Sequence, residues 1–226
     1  DVIQHGRRGF VVDGYYDERH MQFYFSRERK KLALDSVEQG NAQEYLKIGR
    51  VVYFSNSDIE IVRGSGDPRR RFLDFVLAQR DPYYRRALRD YERALRSRNL
   101  LLKSYPPRWS EIEAFEKPLV ETGERISAAR QRLLEELQPF AQAAHLAISS
   151  AKEELRLQYV PGAGEDFRMA LEAAREEDVR LRQTTVGPHR DDVWLLLNEL
   201  GPDFTSEGQQ RTLVLSLKIG AARLLS

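Results

Sequence analysis

From Trp109 to about Ser149 one pattern dominates the chain: Ile112, Leu119, Ile126, Leu133 and Phe140 recur at seven-residue intervals. An apolar stripe at that spacing keeps one face of a helix against a partner helix, and no strand period produces it. The segment is therefore expected to be one long helix that cannot stand alone. A partner precedes it. Asp81-Pro82 is an N-cap residue followed by a proline at the first helical position, and the run that follows places Tyr84, Leu88, Tyr91 and Leu95 on a stripe of its own. The two helices are expected to pack antiparallel as an arm. Its irregularities are as informative: Pro118 and Pro139 each remove an internal hydrogen bond and should kink or interrupt the helix, while Gly123 and Arg130 fall where a better coiled coil would carry apolar residues.

Sheet is expected on both sides of the arm. Between Gly9 and Ser55 the runs FVVDGYYDE, HMQFYFSRE, KKLALDSVE and GRVVYFSN read as antiparallel strands joined by tight turns. Asp67-Pro68 repeats the capping signal ahead of PRRRFLDFVLAQR, and Pro106-Pro107 is expected to end the helix that starts at Pro82. After the arm, ELRLQYV reads as a strand, GEDFRMALEAAREEDVRLRQ as a helix, and TTVGPHRDDVWLLLNEL as two strand segments around a polar bend. A last helix follows FTSEGQQ and is still amphipathic at Leu224 and Leu225, so it is expected to end before anything it could pack against. The fold class is α/β: an antiparallel β lobe over 1–66, a helical arm over 67–150, and a return to the first body over 151–226.

Composition removes whole classes of function. The absence of cysteine excludes disulfides, thiol catalysis and cysteine-based zinc sites. With 36 Lys and Arg against 35 Asp and Glu the net charge is +1, so contact with nucleic acid must come from a local patch. No apolar run approaches the roughly 18 residues of a membrane span, and no signal-peptide pattern opens the chain, so no membrane association and a cytoplasmic location are expected.

The start of the last helix admits two readings. Ser206 and Gln209 have the spacing of a capping box, in which serine accepts from a helix amide and glutamine reaches back to the serine's own N–H. Gly208, however, lies inside the first turn, where a missing side chain weakens the helix but lets an anion reach the free N–H groups and the positive end of the dipole. Ser206, Gln209 and Gln210 would add neutral donors around a phosphate. Elsewhere Arg69, Arg70 and Arg71, with Arg85, Arg86, Arg89, Arg93, Arg96 and Arg98 on the next helix, form either a phosphate-binding face or a solvated one paired with Asp90, Glu92 and later glutamates. GPHRDD, from Gly187 to Asp192, offers a cluster of charges, but neighbours on a strand point to opposite faces. A turn whose His189 and Arg190 bond to nearby backbone is the plainer reading. His5, His20 and His145 are isolated and lack metal-ligand spacing.

Three stretches, VVYFSNSDIEIVRGSGDPRRRFLDFVLAQRDPYYRRALRDYERALRSRN, TTVGPHRDDV and FTSEGQQRTLVLSLKIG, resemble the RecF family of recombination and gap-repair ATPases, relatives of the SMC proteins. The resemblance implies an ABC-type ATPase head. It makes Ser206, Gly208 and Gln209 the signature contacts to the γ-phosphate of ATP held by a second subunit, with Gln210 and Arg211 beside them. Ser55 and Asp58 match the Q-loop region, although FSNSDI stands where the family usually reads F-S-P-E-D-L. Arg69, Arg70 and Arg71 become DNA-contact candidates. No G-x-x-x-x-G-K-[ST] loop occurs, and WLLLNEL does not end in paired acids, so neither Walker element is present in the chain. By resemblance, a full-length protein would use ATP and Mg as an ATP-dependent homodimer on double-stranded DNA at gap junctions, and would act with RecO and RecR to load RecA. The competing reading is non-enzymatic: a helical-arm interaction module with a structural capping box.

Overall fold

The computed structural model describes residues 3–40, 49–149, 153–201 and 205–226. Contacts divide the chain into two units, Asp1–Val51 and Val52–Ser226. Phe204, the first residue of the run that opens the last helix, lies outside the described residues.

In the first unit, strands β1 (Gly9–Tyr16), β2 (Arg19–Ser26), β3 (Lys30–Leu34) and β4 (Val37–Gln39) form an antiparallel meander in chain order. Asp17-Glu18 and Asp35-Ser36 turn the chain with positive φ at both residues, the geometry whose twist matches that of the strands it joins. Asp35 fits this role because its carboxylate also accepts from the His20 N–H at 2.9 Å and from Arg19 Nε at 2.5 Å. The fourth expected strand, GRVVYFSN, does not form: residues 49–55 carry no strand. β-propensity reports fit to a half-buried pleated surface, and Val51, Tyr53 and Phe54 each remain more than half exposed.

The second unit is built on one helix. A 3-10 turn (Asn56–Ile59) leads into α1 (Glu60–Arg63), α2 (Gly66–Arg80) and α3 (Pro82–Leu101), followed by α4 (Trp109–Ser149). After α4 come β5 (Leu155–Val160), α5 (Phe167–Ala173), α6 (Arg175–Leu181), a 3-10 turn (Pro188–Arg190), β6 (Asp192–Leu197) and α7 (Glu207–Leu225). Asp81 caps α3 as expected, accepting from the Tyr83 N–H at 2.8 Å. Asp67 does not cap α2. That helix starts two residues earlier, after Ser65, and Asp67 sits in its first turn, paired with Arg70. Nor does Pro106-Pro107 end α3, which stops at Leu101 in a turn of its own.

The long helix runs unbroken through Pro118 and Pro139, because packing on several sides holds it where each proline removes only one backbone bond. Ile112, Leu119, Ile126 and Leu133 are buried, but Phe140 is 37% exposed. A straight helix drifts about 20° per heptad, so four heptads carry the stripe roughly 80° round, and Leu137, Ala141 and Ala144 take over the buried face. Leu137 and Ala141 meet α7 at Gly220. A Cβ on Gly220 would stand 2.8 Å from the Ala141 nitrogen, so glycine lets the two backbones approach closely. The last helix therefore does have a packing partner, and Leu225 is buried. The two apparent defects of the stripe are docking points as well. A Cβ on Gly123 would meet the Phe167 ring at 2.6 Å, and Arg130 is buried in a polar network.

β5 and β6 pair antiparallel from Leu155↔Leu197 to Val160↔Asp192. The expected strand before the polar bend is absent, residues 184–186 carrying none, while the bend itself is a 3-10 turn after Gly187, and the expected single helix divides at Ala174 into α5 and α6. Glutamines of α4 complete the outer edge of β5. Gln138 accepts from the Leu157 N–H at 2.7 Å and donates to the Leu155 carbonyl at 2.6 Å, while Gln142 accepts from the Leu155 N–H at 2.5 Å. Among the described residues no helix is long and apolar enough to cross a membrane.

Candidate functional site

The start of α7 is a formed capping box. The Ser206 N–H donates to Gln209 Oε1 at 2.7 Å, and the Gln209 N–H donates to Ser206 Oγ at 3.3 Å. Gly208 is exposed, and a Cβ there would meet nothing nearer than Ser206 Oγ at 4.0 Å. Packing within the chain therefore gives no reason for glycine in this turn, where it costs about 1 kcal/mol relative to alanine. Ser206, Glu207 and Gly208 all face solvent, whereas Gln210 turns inward.

The buried side of α7 ties this helix to the segment containing Ser55 and Asp58. Gln210 Oε1 accepts from Arg63 Nε of α1, and its amide nitrogen donates to the Thr205 carbonyl at 3.3 Å. Lys218 Nζ lies 2.9 Å from Asp58 Oδ1 and 4.6 Å from the centre of the Tyr53 ring. Burial works against the Asp58 charge, but the Lys218 bond, the Ser55 N–H at 2.6 Å and the Lys218 charge outweigh it, and the carboxyl is held below its ordinary range. The two segments face each other across a cavity of about 660 Å³ lined by Ser55, Asn56, Arg63, Glu207 and Arg211 over Phe54 and Val214. Lys218, Arg63 and Glu153, which accepts from Gln209 Nε2 at 2.7 Å, escaped the sequence reading because their partners lie far away in the chain.

The arginines divide. Arg69 is engaged within the fold: it forks onto Asp192 at 2.6 and 3.0 Å and donates to the carbonyls of Ile61 and Gly64. Arg70 donates to the Asp191 carbonyl at 2.5 Å, and Arg71 is exposed. On α3, Arg86 and Arg96 pair with Asp90 and Glu92, each at 3.7 Å. Arg98 is no part of a basic surface. It is fully buried, bonding Asp178 at 2.7 Å, Thr184 at 2.9 Å and Glu116 at 3.1 Å.

GPHRDD is a structural hub. His189 Nε2 donates to the Thr184 carbonyl at 3.0 Å, which leaves Nδ1 to accept from Tyr91 Oη at 2.7 Å, and burial lowers the imidazole pKa toward the neutral form this tautomer needs. Arg190 uses its backbone N–H, donating to the Gly187 carbonyl at 2.7 Å. Asp191 accepts from Arg130 at 2.9 Å, from the Gly162 N–H at 2.8 Å and from Tyr159 Oη. Arg130 also forks onto Asp74, so one buried cation joins α2, α4 and the turn before β6. Among the described residues no group of three His, Asp or Glu side chains could hold a metal ion.

No protein-family model matches the chain. A DNA replication and repair protein RecF from Cyanothece sp. is 36% identical over 215 residues, covering 88% of this chain and 57% of the relative. One from Natranaerobius thermophilus is 31% identical over 252 residues, covering 100% of this chain and 65% of the relative. The chain is a homologue of RecF. A solved structure of the recombination mediator protein RecF with ATP, in the RecFOR pathway, is 28% identical and superposes with a TM-score of 0.88 over 99% of this chain and 65% of its own. The α/β arrangement with its antiparallel sheets and helices is thus that of the corresponding part of RecF. The chain spans 57% and 65% of the length of these two relatives.

Proposed function

We propose that this chain is the signature-helix portion of an ATP-dependent, RecF-like DNA-repair protein. Ser206, Gly208 and Gln209, with Gln210 behind them, would receive the γ-phosphate of ATP bound by a second copy. The supporting observation is Gly208, an exposed glycine in the first turn of α7 with open space where its Cβ would be. Open space beside free helix N–H groups suits an approaching phosphate, and Ser206 adds a hydroxyl without adding charge. The triphosphate cradle and the Mg ligands would belong to other parts of the protein, because the chain has no P-loop sequence. Ser55 and Asp58 would link that ATP site to the signature helix through the Asp58–Lys218 pair.

On this reading the full-length protein dimerises with ATP on double-stranded DNA at gap junctions and helps RecO and RecR to load RecA. The arm over 67–150 is then a shortened counterpart of the SMC coiled coil, and Arg69, Arg70 and Arg71 mark the DNA-facing side, with Arg71 the exposed member. The formed capping box favours a second reading, in which the helix start is structural and the arm is an interaction module. Ser206→Arg in the full-length protein separates the two. Loss of the cap costs about 0.5–2 kcal/mol, which a domain of this size survives. A phosphate-receiving site predicts normal ATP binding by the monomer but no dimerisation with a slowly hydrolysed analogue, measured by sedimentation. A structural cap predicts a lower melting temperature and a normal dimer.

A further inference from the structure

The capping box does not end at Gln209. The side-chain oxygen of Gln209 is taken by the Ser206 N–H, and its Nε2 donates to Glu153 Oε1 at 2.7 Å. The other oxygen of Glu153 lies 3.2 Å from Nε2 of His145, a fully buried residue of α4. A carboxylate only accepts, so His145 Nε2 carries the proton of this bond. On its far side, His145 Nδ1 lies 3.3 Å from Ser216 Oγ, whose single proton is shared between that nitrogen and the Thr212 carbonyl at 2.7 Å. A polar chain thus leaves the first turn of α7, passes through Glu153 and the long arm helix, and returns to α7 two turns further on.

We infer that Glu153 and His145 are positioning residues for the signature helix: Glu153, oriented by His145, fixes the Gln209 amide in the orientation that keeps Ser206 and the first turn ready for phosphate. Three observations support this. First, an amide rotated by half a turn would put its NH2 group against the Ser206 N–H and its oxygen against the Glu153 carboxylate, so Glu153 permits one orientation of two. Second, Glu153 is itself held by a buried imidazole and has little freedom to follow solvent, its side chain being 18% exposed. Third, the polar chain passes through His145 of α4, the helix shared by the arm and the α7 packing face, so a shift of the arm at His145 reaches Gln209 without passing through the apolar core. Plain burial of a histidine accounts for none of this, since a buried apolar residue would fill the place beside Ser216.

The inference rests on the phosphate reading of Ser206 and Gly208, and its test keeps the two apart. The full-length protein is compared with Glu153→Ala, Glu153→Gln, His145→Phe and Ser206→Arg. The readouts are ATP hydrolysis, analogue-driven dimerisation, monomer ATP binding and melting temperature. Glu153→Ala is expected to lower kcat roughly tenfold or more with KM and monomer binding unchanged, the scale of a lost charge-assisted hydrogen bond. Glu153→Gln still offers an oxygen to Gln209 and is expected to restore kcat to within about threefold of the parent. His145→Phe should fall between them. Wild-type turnover in Glu153→Ala, or a Glu153→Gln variant as impaired as Glu153→Ala, overturns the positioning role, as does a fall in melting temperature with no change in kcat. If Ser206→Arg itself dimerises and turns over normally, the phosphate reading has failed, and the positioning inference fails with it.

Discussion

Gly208 and Gly220 are both glycines of α7, and opposite reasons put them there. Gly220 lies against the Ala141 backbone, where any side chain would collide, whereas Gly208 has empty space around its Cβ position. Only the first is explained by packing; the sequence placed Gly208 in the first turn but could not show why Gly220 is a glycine, because the Ala141 backbone it meets lies far back in the chain. Substituting alanine therefore has opposite consequences at the two sites. At Gly208 it should stabilise the helix by up to about 1 kcal/mol, raising the melting temperature. The added methyl group would also stand where phosphate is proposed to approach, so nucleotide-driven dimerisation of the full-length protein should weaken. Greater stability together with an unchanged dimer would leave Gly208 without a ligand-related role.

Among elements, α4 was the most legible, since its bounds, 109–149, follow from periodicity alone. What periodicity could not reveal was the set of partners: the seven-residue stripe accounts for contact with one neighbour, but α4 also carries α7, β5 and the turn before β6. Arg130 looked like a flaw in the stripe because its partners, Asp74 and Asp191, come from distant segments. In the same way the last helix looked unpartnered because its neighbour is Ala141, far back in the chain. Arg130→Ala would leave two carboxylates with no cation, Asp191 almost wholly buried, and should destabilise the second unit by about 3–5 kcal/mol. Replacing the whole network with apolar residues should cost much less. Chemical denaturation of both variants measures the difference, and equal, small losses would mean that the network adds little to the fold.

For the molecule as a whole, a net charge of +1 said only that any DNA-binding face must be local, and the arginine runs suggested where. Composition could not divide them into cations used by the fold and cations left for solvent, because that division depends on carboxylates brought in from elsewhere. Asp192 is one such group. Burial raises the cost of its charge, but the Arg69 fork and the bond from the Val193 N–H outweigh this and hold its pKa below the ordinary range. A lowered pKa means that this pair stabilises the fold above the unfolded carboxyl's pKa, and that the contribution is lost as pH falls through the folded value. Arg69→Ala should therefore destabilise by about 1–3 kcal/mol near neutral pH, with a smaller difference in acid, and should leave the salt dependence of DNA binding alone. Arg71→Ala should do the reverse in the full-length protein. Its exposed guanidinium contributes little to stability, but losing a phosphate contact should weaken duplex binding for every sequence alike and reduce the slope of log affinity against log salt by about 0.9. Fluorescence anisotropy across a salt series, paired with thermal melts, reads both variants at once. An unchanged slope in Arg71→Ala would assign all three arginines to the fold and its solvated surface, and would move the DNA-binding face elsewhere.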